Sequence, residues 1–204
     1  MKLTKLDKRI LYELDTNGRA SFSEIAAAVG TSPQVVKYHY DNLVFNDVIS
    51  NFWSYVNYNS LGYSLFWGYW IKFSGLSADE EIKMYADLKS NPYIPIIMRC
   101  DGYADLFMGI IGKDIFHHNE ILQGFFNKYG KYITMSDLVV GLEVVKFPRT
   151  YLLEKTANTD QAVIEQSSSE IKISEMDRKI ITLSQLNGRM EFSKMAAALH
   201  VSKG

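Results

Sequence analysis

The chain carries one unit twice, at its two ends. Shifted by 170 positions, "LTKLDKRILYELDTNGRASFSEIAAAVGTS" at 3–32 lies over "ISEMDRKIITLSQLNGRMEFSKMAAALHVS" at 173–202 without a gap. Asp7, Ile10, Asn17, Gly18, Arg19, Phe22, Ser23, Ala26, Ala27, Ala28 and Ser32 recur as Asp177, Ile180, Asn187, Gly188, Arg189, Phe192, Ser193, Ala196, Ala197, Ala198 and Ser202. Such a match reads as one fold used twice, and any architecture for the chain has to hold it at both ends.

The unit is helical. Leu6, Ile10, Leu11 and Leu14 recur at helical spacing, and Asn17-Gly18 is expected to end that helix with a left-handed residue. Ser21 and Glu24 have the spacing of a capping box that opens a second helix through Ile25 and Ala28, and Gly30 closes it. Ser32 as N-cap and Pro33 in the first helical position begin a third, with Val36, Tyr40 and Leu43 on its buried stripe. Three short helices with a tight turn between the second and third make a helix-turn-helix. "VISNFWSYVNY", rich in β-branched and aromatic residues, is expected to form a wing and a connecting strand.

Between the copies the period changes. "GYSLFWGYWIKF" alternates as a strand, with Leu65, Trp67, Tyr69, Ile71 and Phe73 on one face and Phe66 and Trp70 on the other. A helix opened by Ser77 and Glu80, strands at "YIPIIMRC" and "ADLFMGIIG", a helix at "DIFHHNEILQGFFNKYG" and a last strand, "YITMSDLVVGLEVVKF", complete a ferredoxin-like βαββαβ order. Its helices cover one sheet face, so the apolar residues on the other predict a partner, for which a second copy suffices.

The fold class is therefore α+β. A winged helix-turn-helix at 1–50 and a connecting strand at 51–60 lead into a ferredoxin-like domain at 61–155. A polar linker at 156–172, with a helix around Ala162 to Ile164 left open, precedes a partial second helix-turn-helix at 173–204. In the second copy the sequence stops just after Ser202, where the third helix would begin, so a longer tandem parent is expected. Without that helix, Ile180, Ile181, Met195 and Leu199 are expected to be disordered or docked on another surface, such as the central domain or a dimer partner.

Composition narrows the class. With 47% apolar and 13% aromatic residues the chain can bury a core. The single cysteine, Cys100, excludes a disulfide framework and a cysteine-based zinc site. No apolar run approaches the roughly 18 residues of a membrane span, and a cytoplasmic protein is expected. The net charge of -1, and six basic against six acidic side chains in the first fifty residues, weigh against strong non-specific nucleic-acid binding.

"LDKRILYELDTNGRASFSEIAAAVGTSPQVVKYHYDNLVFNDVI" resembles the DNA-binding domain of the Lrp/AsnC (feast/famine) transcriptional regulators, including the Asp that starts the first helix, the Asn-Gly-Arg turn and the Ser-Pro opening of the recognition helix. Residues 52–147 resemble that family's effector and dimerisation domain, and Gly102-Tyr103-Ala104-Asp105-Leu106 sits at its glycine-to-aspartate turn. Departures are His39 for a common Arg, Asp47 for the Gly before the wing, and the second copy itself, which resembles longer tandem members.

The resemblance implies a sequence-specific regulator that binds double-stranded DNA, forms a homodimer or higher oligomer, and answers to a small effector such as an amino acid. With Val36, Tyr40 and Leu43 turned inward, Gln34, Val35, Lys37, Tyr38 and Asp41 face outward. Gln34 suits an adenine, Lys37 a guanine or a phosphate, and Ser32 with the helix N-terminus a phosphate. Arg19 is expected to hold the turn between the first two helices. The same three helices also suit a protein-interaction module without DNA. By family position Gly102 and Asp105 are the effector residues, a carboxylate for an ammonium and a glycine for backbone approach. Ordinary turn chemistry accounts for both residue types equally.

An enzyme is the rival class, since related architectures resemble tetrapyrrole decarboxylases. His117 and His118 are adjacent on a helix and point about 100° apart, so they do not converge. No catalytic set, metal-ligand cluster or cofactor motif is legible.

Overall fold

The computed structural model describes residues 2–63, 65–141, 144–147, 149–153, 162–164 and 171–202. They divide into two compact units: residues 1–56, 145–163 and 173–204, and residues 57–144 and 164–172.

In the first unit, α1 (Lys5–Thr16), α2 (Phe22–Val29) and α3 (Pro33–Phe45) form the expected helix-turn-helix. Each start is capped by a local side chain. Thr4 and Asp7 make a capping box for α1, Ser21 and Glu24 make one for α2, and Ser32 accepts the Val35 N–H at the head of α3. Ile10, Leu14, Ile25, Val29, Val36 and Leu43 are buried together, with Tyr40 packed against them. Gly30 ends α2 at φ 73°, as its position predicts, and Asp47 follows α3 at φ 55°.

Three local expectations fail. Gly18 is not left-handed. Its Cα lies close to Phe52: an added Cβ would stand 3.1 Å from the ring, which would have to give by a few tenths of an ångström, so glycine is favoured there by tertiary packing. Residues 51–60 hold no strand and so form no connecting β-segment. Backbone that would have paired in a strand instead meets the second copy: Gly188 N–H donates to Phe52 O at 2.7 Å and Ser54 N–H to Ser184 O at 3.3 Å. Ala162–Ile164, within the span that reads as a polar linker open to some helix, is a strand (β6, below), and linker residues 156–161 and 165–170 lie outside the described residues.

The second copy folds as α6 (Glu175–Leu186) and α7 (Phe192–Ala198), the first with a Ser174–Asp177 capping box that repeats the one at Thr4–Asp7. It docks on the first copy, in the same unit. Its equivalent of Gly30 is His200, which takes the same left-handed backbone at φ 55°. A side chain there is strained by about 1 kcal/mol. His200→Gly should therefore slow hydrogen exchange in α7 about fivefold, and Gly30→His should speed it in α2 by a similar factor.

The second unit is built on β1 (Leu65–Phe73), α4 (Ala78–Ser90), β2 (Ile96–Arg99), β3 (Leu106–Gly112), α5 (Ile115–Tyr129) and β4 (Ile133–Val140). The sheet order is β2-β3-β1-β4, all antiparallel, as a βαββαβ chain requires. Tyr69, Ile71, Leu106, Met108 and Ile110 pack under Met84 and Leu88 of α4 and Ile121, Phe125 and Tyr129 of α5. The last expected strand is two: β4 stops before Gly141, and β5 (Val144–Lys146) pairs with β6 (Ala162–Ile164). A glycine inside a strand weakens it and favours such a break.

The sheet's other face carries neither helix. Register puts Phe66, Gly68 and Trp70 of β1 beside Ile111, Gly109 and Phe107 of β3, and Ile96 and Met98 of β2 beside Gly109 and Phe107. The two glycines are slots. A Cβ at Gly68 would lie 2.4 Å from the Phe107 ring, and one at Gly109 would lie 2.5 Å from Ile96 and 2.8 Å from Phe66. Large side chains thus lie down across the sheet as an apolar surface.

Candidate nucleic-acid interface and effector turn

Which side chains α3 turns outward follows from which of its faces the core consumes. Val36 and Leu43 are fully buried, whereas Ser32, Gln34, Val35, Lys37, Tyr38 and Asp41 are all exposed, Tyr38 at 66%. Lys37 is not a lone cation: its Nζ lies 2.5 Å from Asp41 Oδ2, one turn along the same helix. Both partners are largely solvated, so the pair is worth a few tenths of a kcal/mol and yields readily to a phosphate.

His39, on the same helix, turns inward. Its Nδ1 lies 2.7 Å from Asp7 Oδ1, and Asp7 is 1% exposed. The other Asp7 oxygen accepts from the Thr4 N–H and hydroxyl at 2.7 and 2.6 Å. Burial pushes the Asp7 carboxyl up, but the Thr4 hydroxyl, His39 and the Thr4 amide together hold it below the usual carboxylate value. This tie between the start of α1 and the recognition helix is invisible in either segment alone. A Thr4-Asp7 spacing signals the cap, and nothing local signals the histidine.

Arg19 does not brace its own turn with its side chain. Its guanidinium donates to Gly188 O at 2.6 Å and Met190 O at 3.1 Å, in the second copy.

At the turn between β2 and β3, Gly102 is exposed with φ 110°. Asp105 is already engaged: Lys72 Nζ donates to Oδ1 at 2.7 Å and to Gly102 O at 2.9 Å, and the Phe73 N–H donates to Oδ2 at 2.8 Å. Burial raises the Asp105 pKa, but the bonds from Lys72 and Phe73 and the Lys72 charge outweigh it, leaving the carboxyl below its ordinary value. The turn therefore holds a carboxylate and an ammonium side by side. A groove of about 670 Å³ in the same unit runs between α4 and α5, lined by Asp87, Tyr93, His117, Glu120 and Lys128 among others, and neither Gly102 nor Asp105 lines it.

The two histidines of α5 diverge. His118 is buried, its Nε2 2.9 Å from the Tyr69 hydroxyl, and burial followed by repulsion from His117 pushes its pKa down. His117 is instead edge-on to Tyr93 at 4.5 Å. Among the described residues no three His, Cys, Asp or Glu side chains gather to hold a metal, and no helix is long and apolar enough to cross a membrane.

Residues 3–43 match the AsnC-type helix-turn-helix domain. The chain therefore carries an AsnC-type helix-turn-helix domain at its amino-terminal end. It is similar to an uncharacterized HTH-type transcriptional regulator of Pyrococcus furiosus, 29% identical over 129 residues that span 63% of this chain and 83% of the relative. An HTH-type transcriptional regulator of Mycobacterium tuberculosis is 28% identical over 122 residues, 60% of this chain and 81% of that protein. Among solved structures, E. coli AsnC superposes with a TM-score of 0.58 at 20% identity, over 71% of this chain and 95% of that one. A Neisseria meningitidis transcriptional regulator in complex with L-Met reaches a TM-score of 0.64 at 16% identity, over 72% and 95%. The similar proteins named here are described as transcriptional regulators or AsnC, and none of them points to the decarboxylase alternative.

Proposed function

We propose that this regulator reads double-stranded DNA with the exposed face of α3, assembles as a homodimer through the helix-free sheet face, and is modulated by an amino acid at the Gly102–Asp105 turn. The observation that carries the DNA reading is the division of α3 into a consumed apolar face and a free polar one. Gln34 presents a side-chain amide for an adenine edge, Val35 and Tyr38 present apolar surface for a thymine methyl or sugar, and Ser32 sits at the phosphate-binding N-terminus. Asp41 adds a negative charge beside Lys37 on the face turned to the phosphates, and so weakens binding to any sequence.

Fluorescence anisotropy with a cognate duplex tests this. Lys37→Ala should weaken binding on every sequence and lower the salt slope by about one, whereas Gln34→Ala should lose roughly 1 to 3 kcal/mol of discrimination at a single base pair. Asp41→Ala should strengthen binding on all duplexes. If Lys37→Ala and Gln34→Ala both bind as the parent does, α3 is not the reader.

For the effector, the Lys72–Asp105 pair offers a counter-charge to each end of a free amino acid: Lys72 to its carboxylate, Asp105 to its ammonium. The L-Met complex of the Neisseria regulator makes methionine the first compound to titrate. Thermal stabilisation that Asp105→Asn abolishes is the expected result. Stabilisation that survives Asp105→Asn places the ligand elsewhere.

A further inference from the structure

The two copies of the repeat hold each other. Arg189 donates to Gly18 O at 2.6 Å and Ala20 O at 2.7 Å, and Arg19 donates to Gly188 O at 2.6 Å and Met190 O at 3.1 Å. Each guanidinium also covers the other copy's phenylalanine: Arg19 lies 4.5 Å from the Phe192 centroid and Arg189 lies 5.3 Å from that of Phe22. Position for position, each side gives what it receives. That reciprocity is the mark of an isologous contact, here made between two parts of one chain.

We propose that the Asn-Gly-Arg turn is a docking surface specific for a second Asn-Gly-Arg turn, and that its resident partner is the 187–192 turn of the same polypeptide. All three residues of the motif have a task. Asn17 Oδ1 accepts the Arg19 N–H at 3.0 Å, and Asn187 Oδ1 accepts the Arg189 N–H at 3.0 Å, so the asparagine shapes the turn that presents the arginine. Each glycine packs closely on the 52–54 segment that both turns share, since a Cβ at Gly188 would stand 3.2 Å from Ser54 Oγ and one at Gly18 would stand 3.1 Å from Phe52. The arginine spans two carbonyls two residues apart, which a planar fork does and a lysine ammonium does not. Facing guanidiniums would repel, but each is held by carbonyl oxygens and ring faces that favour a cation.

The two halves are unequal. Arg189 enters an aromatic cage, with Tyr40 at 5.5 Å and Phe52 at 5.7 Å besides Phe22, and it is pushed down from its ordinary pKa by burial. Among the described residues Arg19 has the one ring, that of Phe192, and a longer second bond. The clasp also leaves the outward residues of α3 exposed, so the surface is separate from the DNA reader.

Hydrogen exchange on the whole chain tests the proposal. Arg189→Ala should speed exchange across residues 175–199 about tenfold, since it removes two charge-assisted bonds to the first copy. Arg19→Ala should do so by a smaller factor. The double variant should fall short of the sum of the two single effects, because both arginines hold one turn-to-turn contact. If Arg189→Ala also opens α1 to α3, Arg189→Lys decides, because it keeps the charge in the cage and loses only the fork; exchange in 175–199 should still rise severalfold with α1 to α3 still protected. Unchanged exchange in 175–199 in Arg189→Lys and Arg189→Ala overturns the clasp. Protection that disappears on dilution overturns the resident partner, because a contact within one chain does not depend on concentration.

Discussion

Asp7→Ala is expected to open the amino-terminal helix-turn-helix by about 3 kcal/mol, within the range for removing a buried, hydrogen-bonded carboxylate and an N-cap partner together. The carboxylate is 1% exposed and serves three groups: the Thr4 amide, the Thr4 hydroxyl and His39. Its loss frays the first turn of α1 and leaves the His39 ring, on the recognition helix, without its anchor. Asp7→Asn keeps the shape and should lie between the parent and Asp7→Ala. The sign with pH follows from the carboxyl being held below its ordinary value in the folded chain. That contribution is complete above the unfolded carboxylate pKa of about 3.9 and is lost as pH falls through the lower folded value. Exchange of the α1 and α3 amides should therefore accelerate below about pH 4 in the parent, after correction for the intrinsic rate, and the Asp7→Asn variant should show a flatter dependence. An Asp7→Ala protein that exchanges as slowly as the parent would falsify the anchor.

What the sequence discloses is what depends on near neighbours. Ser21 with Glu24 and Ser77 with Glu80 make their capping boxes because the partners are three residues apart, and Gly30 takes the left-handed backbone that a helix end needs. The alternation of β1 separates Tyr69 and Ile71 from Phe66 and Trp70 because the period of a strand is fixed by its covalent geometry. The i,i+4 pair of Lys37 and Asp41 was equally legible by spacing, yet α3 read as a set of outward positions hides it. Readings fail where the partner is distant. Gly18 looks like a helix terminator and is a close-approach glycine against Phe52. Arg19 looks like a turn brace and reaches across 169 residues to Gly188. Asp105 looks free for a ligand and is held by Lys72 and Phe73 from the neighbouring strand. The β-rich composition of 51–57 predicts a strand, but its backbone meets α6 and the turn after it, and tertiary context overrides local preference.

Gly68→Ala is expected to weaken the proposed homodimer by at least roughly tenfold while costing the unit itself only about 1 kcal/mol. The asymmetry comes from what the new Cβ meets. It would lie 2.4 Å from Cε2 and 2.5 Å from Cζ of Phe107, the far end of a side chain on the helix-free face. Nothing in the helix-covered core has to move, because Tyr69 and Ile71 point the other way. Phe107 instead has to lift from the sheet, and it packs against Trp70 at 4.8 Å between ring centroids, so both rings shift. A surface that was level becomes ridged, and shape complementarity is what a self-associating apolar face relies on. Gly109→Ala should act alike through Ile96 and Phe66, and the two changes should combine less than additively because they disturb one contiguous surface. Light scattering across a dilution series measures the effect: a dimer for the parent, a shift toward monomer at the same concentration for Gly68→Ala, and a melting temperature lowered by only a few degrees. A parent that is monomeric at micromolar concentration, or a Gly68→Ala variant that dimerises as tightly as the parent, would remove this face from the interface and leave its aromatic rings to be explained by another partner.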